Sequence, residues 1–229
     1  MIIGNWFLAN IFLQYQNIDT VCIFASGVSN SQNQDHSLFQ RERNLLVETL
    51  NNTKEKVFIY FSTCSIYDAT LVNSEYVKHK LKIENLIEQS GNAYIIFRIS
   101  NPVWYTHNPN TIFNYLINKI NSGQDFVVWS GAKRNFIDIE DLLIIASYII
   151  DHKSHENSII NIANTQNFAI VDIIIILEGV LWKKALYRTE EKWGIPVIDT
   201  SKITDIIKES NIQFDNQYME RLIHKYCRI

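Results

Sequence analysis

Cysteine and proline are scarce in these 229 residues, with three of each. Cys22, Cys64 and Cys227 share no paired spacing, which argues against a disulfide framework or a zinc site and for a reducing compartment. The few prolines accompany abundant isoleucine and asparagine, a bias that carries no mechanistic content. No long hydrophobic run is present. The most apolar windows, Leu142–Ile150 and Ile173–Leu177, fall short of the ~20 residues that cross a bilayer. With no signal peptide visible, a cytoplasmic protein with no membrane partner is expected. Charge of either sign is not in excess: the net charge of −3 gives no reason to expect nucleic acid. His152 and His155 lack a third ligand at a useful spacing, so they read as surface residues and no metal site is expected.

What is present fits one sizeable folded domain: 47% of residues are hydrophobic and 20% charged. Short apolar runs alternate with amphipathic stretches, the pattern of βα units on a parallel sheet with helices on both faces. The spacing predicts strands at Met1–Ile3, Val21–Ala25, Val57–Phe61, Tyr94–Ile99, Phe126–Trp129 and Ile159–Ile162. A Ser130-Gly131 turn is expected after the fifth of these. Helices are predicted over Phe7–Tyr15, Leu38–Leu50, Tyr76–Gln89, Thr111–Asn121, Ile139–Asp151, Val171–Leu181, Thr200–Glu209 and Asn216–Lys225. Glu140 and Asp141 suit a helix N-terminus. No internal repeat or low-complexity linker divides the chain. Residues 1–100 read as a core, and residues 101–229 as further core strands interleaved with a small lobe.

The chemistry concentrates between Val57 and Lys80. An apolar strand ends in small hydroxyl residues, Ser62, Thr63 and Ser65, and the next helix places Tyr76 and Lys80 four apart on one face. Tyr-x-x-x-Lys alone is a weak signal. With 11 tyrosines a chance match is expected, and Tyr115–Lys119 is one, read as a solvated helix face. Tyr76–Lys80 differs because a strand ending in hydroxyls precedes it. A free phenol, with a pKa near ~10, is a poor base at neutral pH. An ammonium one turn away, together with an oxidised nicotinamide ring, favours the phenolate, while Thr63 can hold the reacting oxygen.

Ile3-Gly4-Asn5-Trp6-Phe7-Leu8-Ala9 lies between a strand and a helix, where a dinucleotide-binding turn belongs. Only Gly4 of the G-x-G-x-x-G glycines is there. Ala9 is an accepted small substitute, but Trp6 would crowd a diphosphate. The free N–H groups of a helix start could still attract phosphate. The acidic residue that closes the second strand to bind the adenosine ribose is missing; Val21–Ala25 leads into Ser26-Gly27, and Asp19 precedes the strand.

In this order Ser62-Thr63, Ile66-Tyr67, Tyr76-x-x-x-Lys80, Arg98 and Asn101-Pro102 resemble the extended short-chain dehydrogenases/reductases, in particular their nucleotide-sugar epimerase/dehydratase/reductase branch. The resemblance runs over nearly the whole chain. It implies an α/β, Rossmann-like parallel sheet shortened by about two strands, with a small C-terminal substrate lobe. It implies NAD or NADP as cofactor, with Gly4, Asn5, Trp6, Phe7, Leu8, Ala25, Ser26, Gly27, Ser62, Tyr76 and Lys80 as its binding residues. Thr63, Tyr76 and Lys80 become the catalytic residues; Thr63, Asn101 and Arg134 become the nucleotide-sugar residues, the guanidinium gripping the diphosphate. Cys64-Ser65 stands where dehydratases of the branch carry Asp-Glu, which favours epimerisation or ketone reduction over loss of water.

The resemblance further implies a homodimer through Leu38–Leu50 and Tyr76–Gln89, and a role in surface polysaccharide synthesis. Two alternatives remain open. One is a catalytically degenerate nucleotide-sugar or dinucleotide-binding protein of the same fold. The other is an isomerase that uses Tyr76 without hydride transfer.

Overall fold

The computed structural model describes residues 1–5, 7–106 and 108–227. In chain order the elements are β1 (Ile2–Ile3), α1 (Phe7–Ile11), β2 (Val21–Phe24), α2 (His36–Asn52), β3 (Val57–Thr63), α3 (Glu75–Glu88), β4 (Tyr94–Ile99), β5 (Asn101–Val103) and α4 (Ile112–Ser122). They continue with β6 (Phe126–Arg134), β7 (Phe136–Asp138), α5 (Ile139–Asp151), β8 (Ser158–Ile162), β9 (Phe168–Ala169), α6 (Ile170–Leu181), β10 (Tyr187–Gly194), α7 (Thr204–Glu209) and α8 (Tyr218–Tyr226).

Strands β1-β2-β3-β4-β8 form a parallel sheet in that order, every neighbour in parallel register. Its central strands alternate between two cores, as a sheet covered on both faces must. Ile23, Ile59, Phe61, Ile95 and Phe97 face α1 and α5, while Phe24, Phe58, Tyr60 and Ile96 face Leu46 and Leu50 of α2 and Ile83 and Ile87 of α3. A third core joins α4, α6 and α8 to β6.

Gly4 makes the turn after β1 with φ of +125°, and a Cβ there would stand 2.7 Å from the Ala25 carbonyl oxygen. Only glycine permits both the backbone conformation and that approach.

Several boundaries differ from the sequence reading, each for a tertiary reason. Ser62 and Thr63 belong to β3, because β4 continues to pair with them opposite Arg98 and Ile99. Ser130-Gly131 is no turn. Strand β6 runs through it, held by β10 in parallel and by β9 at its far end. Asn101-Pro102 does not merely close a strand; it opens β5, which pairs with β7. The predicted helix from Phe7 to Tyr15 is a five-residue α-helix followed by a 3-10 turn at Leu13–Tyr15. Cys22, Cys64 and Cys227 are all buried and unpaired.

Candidate active site

Helix α3 begins at Ser74, whose hydroxyl accepts from the Val77 amide 3.2 Å away. That start fixes the rotation of the helix and turns Tyr76 and Lys80 inward, 6% and 2% exposed. Tyr76 packs with Val28, Phe39 and Val77. Thr63, at the carboxyl end of β3, donates its hydroxyl to Ser65 Oγ at 2.9 Å. It also caps the following 3-10 turn by accepting from the Ser65 amide. Thr63 pulls the Tyr76 pKa down, and so does Lys80, while burial, the largest influence, and Glu42 push it up; the net direction is upward.

Lys80 is not a free cation reaching into a cleft. Its Nζ donates to Tyr60 Oη at 2.8 Å and to Glu42 Oε1 at 3.2 Å. Glu42 is fully buried and also accepts from Tyr60 Oη at 2.6 Å and the Val28 amide at 2.7 Å. Its Oε2 lies 2.9 Å from His79 Nε2. Burial raises the Glu42 pKa, but Lys80, His79, Tyr60 and Val28 outweigh it and hold the carboxyl at about 2. The backbone passes close over this pair at Gly27, where a Cβ would stand 2.8 Å from Lys80 Nζ and 3.0 Å from Glu42 Oε1.

Glu42 is the buried partner of Lys80 that sequence reasoning missed. The signal was there. Phe39, Glu42, Leu46, Thr49 and Leu50 share the buried stripe of α2, so a carboxylate at that spacing must meet a partner.

The remaining candidates fall in three groups. Gly4, Ala25, Ser26 and Gly27 come together, Gly4 against Ala25, and Arg41 Nη2 holds the Ser26 carbonyl at 2.9 Å. Asn5 is exposed, Leu8 packs against the sheet, and Phe7 stacks on Trp104 at 4.3 Å. Trp6 lies outside the described residues. Ser62, two residues along β3 from Tyr60, donates to Glu84 rather than meeting Lys80, and Glu84 also takes two N–H groups of Arg98. Asn101 donates to the Asn135 carbonyl at 2.7 Å. Arg134, next in sequence to Asn135, pairs with Asp68 at 3.4 Å and donates to the Gly194 carbonyl at 3.3 Å.

Cys64 is 5% exposed, its Sγ donating to the Arg98 carbonyl at 3.2 Å, and burial pushes its thiol far up. It supplies no acid or base at neutral pH. Tyr115 is exposed and Lys119 half-buried, the ammonium 5.8 Å from the ring centre. Among the described residues no cluster of His, Cys, Asp or Glu could hold a metal ion, and no helix is long and apolar enough to cross a membrane. Two clefts, of about 540 and 510 Å³, lie along α8, away from Tyr76 and Lys80.

The fold recurs in known structures. UDP-glucuronic acid 4-epimerase from Bacillus cereus, solved with UDP-glucuronic acid and NAD, superposes with a TM-score of 0.70 at 20% identity, covering 93% of this chain and 76% of that one. The Bordetella bronchiseptica enzyme WbmH, solved with NAD+, gives 0.71 at 16% identity, with coverage of 96% and 78%. For dTDP-glucose 4,6-dehydratase from Bacillus anthracis str. Ames, solved with NAD, the values are 0.69 at 15% identity, 93% and 74%. At such identities the likeness establishes the fold, a Rossmann-like parallel sheet. No curated protein matches the sequence. Residues 6–163, well over half of the chain, match a sequence family, and on that match this protein belongs to the NAD dependent epimerase/dehydratase family.

Proposed function

We propose that the protein is an NAD(P)-dependent enzyme that interconverts a hydroxyl and a ketone on a nucleotide-linked sugar, as a 4-epimerase or 4-ketoreductase. The observation that carries this reading is the convergence of Thr63, Tyr76 and Lys80 at the carboxyl end of β3, where a parallel sheet presents its ligands. Family membership and the NAD-bound neighbours support it.

The residues at the nicotinamide end fit a dinucleotide. Gly27 carries no side chain where a Cβ would crowd Lys80, so the backbone lies directly over the ammonium. Gly4, Asn5, Phe7, Leu8, Ala25, Ser26, Gly27, Ser62, Tyr76 and Lys80 are the residues assigned to hold it. A bound nicotinamide supplies or accepts the hydride. Tyr76 then gives a proton to the sugar oxygen or takes one from it. Thr63 orients that oxygen through its hydroxyl, and the cation of Lys80 favours the phenolate.

Dehydration is disfavoured. Elimination needs an acid/base pair beside Thr63, and the next two residues are a buried thiol and a hydroxyl. Residues 101–229 are proposed to supply the sugar-nucleotide lobe, with Asn101 and the Arg134 guanidinium directed to the diphosphate. Surface polysaccharide assembly is the proposed use of the product, a reducing cytoplasm the proposed setting, and a homodimer through α2 and α3 the proposed assembly.

The test is what the purified protein carries. Denatured protein is expected to release NAD or NADP, read by absorbance and mass. Apo protein is expected to gain thermal stability from a dinucleotide as well as from a nucleotide sugar. A shift with the nucleotide sugar and with neither dinucleotide would replace this reading by a non-catalytic sugar-nucleotide binder.

A further inference from the structure

Glu42 has no part in the proton chemistry above, yet it is the most heavily engaged carboxylate near it. Its two oxygens meet four groups from three other parts of the chain: Val28 in the loop after β2, Tyr60 on β3, and His79 and Lys80 on α3. Both members of the Glu42–Lys80 pair are buried, with side-chain exposures of 0% and 3%. Stability alone gives no reason for such a pair, since well-packed apolar side chains serve a core as well or better.

The other charged groups packed around it are already committed. Arg41 points to Ser26, Glu84 is taken by Arg98, and His79 stacks on Phe39 while meeting Glu42 itself. Tyr60 and Tyr76 are neutral phenols raised first by burial. Among the described residues, Glu42 is therefore the one carboxylate set against Lys80.

We propose that Glu42 is a positioning residue: its carboxylate pins the Lys80 amine between Tyr60 and Gly27, beside Tyr76. A buried ammonium is held in place only where a countercharge and hydrogen bonds receive it. A Lys80 released from Glu42 would no longer be fixed beside the Tyr76 ring and under the Gly27 backbone. The bearing on dinucleotide binding rests on the proposed function; the hold on Lys80 does not.

The experiment follows the hold on Lys80 directly, by the 13Cε shift and relaxation of labelled lysines at neutral pH, with K80M identifying the signal. In the wild type the Lys80 Cε is expected to be rigid and shifted away from the surface lysines. In E42Q it is expected to become mobile, with E42D restoring most of the order. NADH affinity, read by nicotinamide fluorescence, is expected to drop roughly tenfold in E42Q and recover in E42D.

An E42Q protein whose Lys80 signal keeps its wild-type position and order would overturn the proposal. So would a wild-type Lys80 as mobile as the surface lysines, a result that needs no variant to fold. A rigid wild-type Lys80 released in E42Q, without any NADH binding by the wild type, would uphold the hold of Glu42 on Lys80 and strike the proposed function instead.

Discussion

Lys80 Nζ lies 5.8 Å from the centre of the Tyr76 ring, one helical turn along the same face of α3, with both side chains buried. In the proposed function the Tyr76 phenol oxygen is the one that moves the proton. Replacing Tyr76 by Phe removes the oxygen and keeps the ring that packs on Val28 and Phe39. Turnover is expected to fall roughly a hundredfold or more while the thermal midpoint changes little. Turnover assays on Y76F beside its melting curve check this, and comparable activity would remove Tyr76 from the mechanism.

The two directions of the reaction should respond oppositely to pH. Burial, followed by the pull of Lys80 and Thr63 against the push of Glu42, leaves the Tyr76 phenol above its ordinary value of 10.0. It is thus protonated at neutral pH and ready to donate. Ketone reduction should be flat through neutral pH and fall in alkali, whereas hydroxyl oxidation, which needs the phenolate, should climb with pH. Initial rates in both directions across the pH range decide it. An oxidation rate already level from pH ~6 would contradict the raised phenol.

Acid stability should carry the mark of Glu42. Its folded pKa of about 2 lies below the ordinary 4.5, so its stabilising contribution is complete above the unfolded value and is lost as pH falls from about 4.5 toward 2. Urea unfolding of the wild type should therefore weaken over that window. E42Q should be less stable at neutral pH and show a shallower acid decline. An equally steep decline in E42Q would place the acid sensitivity elsewhere.

A second ion pair joins the buried Glu84 of α3 to the half-buried Arg98 of β4. Arg98 Nε and Nη2 both reach Glu84, and Nη1 reaches Tyr67 Oη at 3.1 Å. Glu84→Ala strands the guanidinium beside β3 and should cost about 3 kcal/mol. The double replacement Glu84→Leu with Arg98→Met should cost markedly less, because no charge is left unpaired. Urea midpoints of the two proteins make the comparison.

The legible parts of this molecule were those governed by local pattern. Ile139–Asp151 is a helix at the boundaries its acidic start and apolar period imply, and the near-continuous apolar run of Tyr94–Ile99 reports a strand covered on both faces. The hydroxyl strand and Tyr76–Lys80 were visible for the same reason: each is a short-range spacing. What was hidden depends on partners distant in sequence. Ser130-Gly131 looks like a turn until Tyr187–Gly194 pairs with it. Glu42 and Lys80 are 38 residues apart, and only the packing of α2 against α3 makes one the countercharge of the other. Arg134 likewise shows its Asp68 partner only once β6 and the loop after β3 are brought together.

The central claim, that Thr63, Tyr76 and Lys80 serve a nicotinamide dinucleotide, is tested most directly by titrating NADH and NADPH into the purified apo protein and reading nicotinamide fluorescence. The account predicts saturable binding of at least one of them by the wild type, and binding weakened in Lys80→Met. Absence of saturable binding for both dinucleotides in a correctly folded wild type would contradict it.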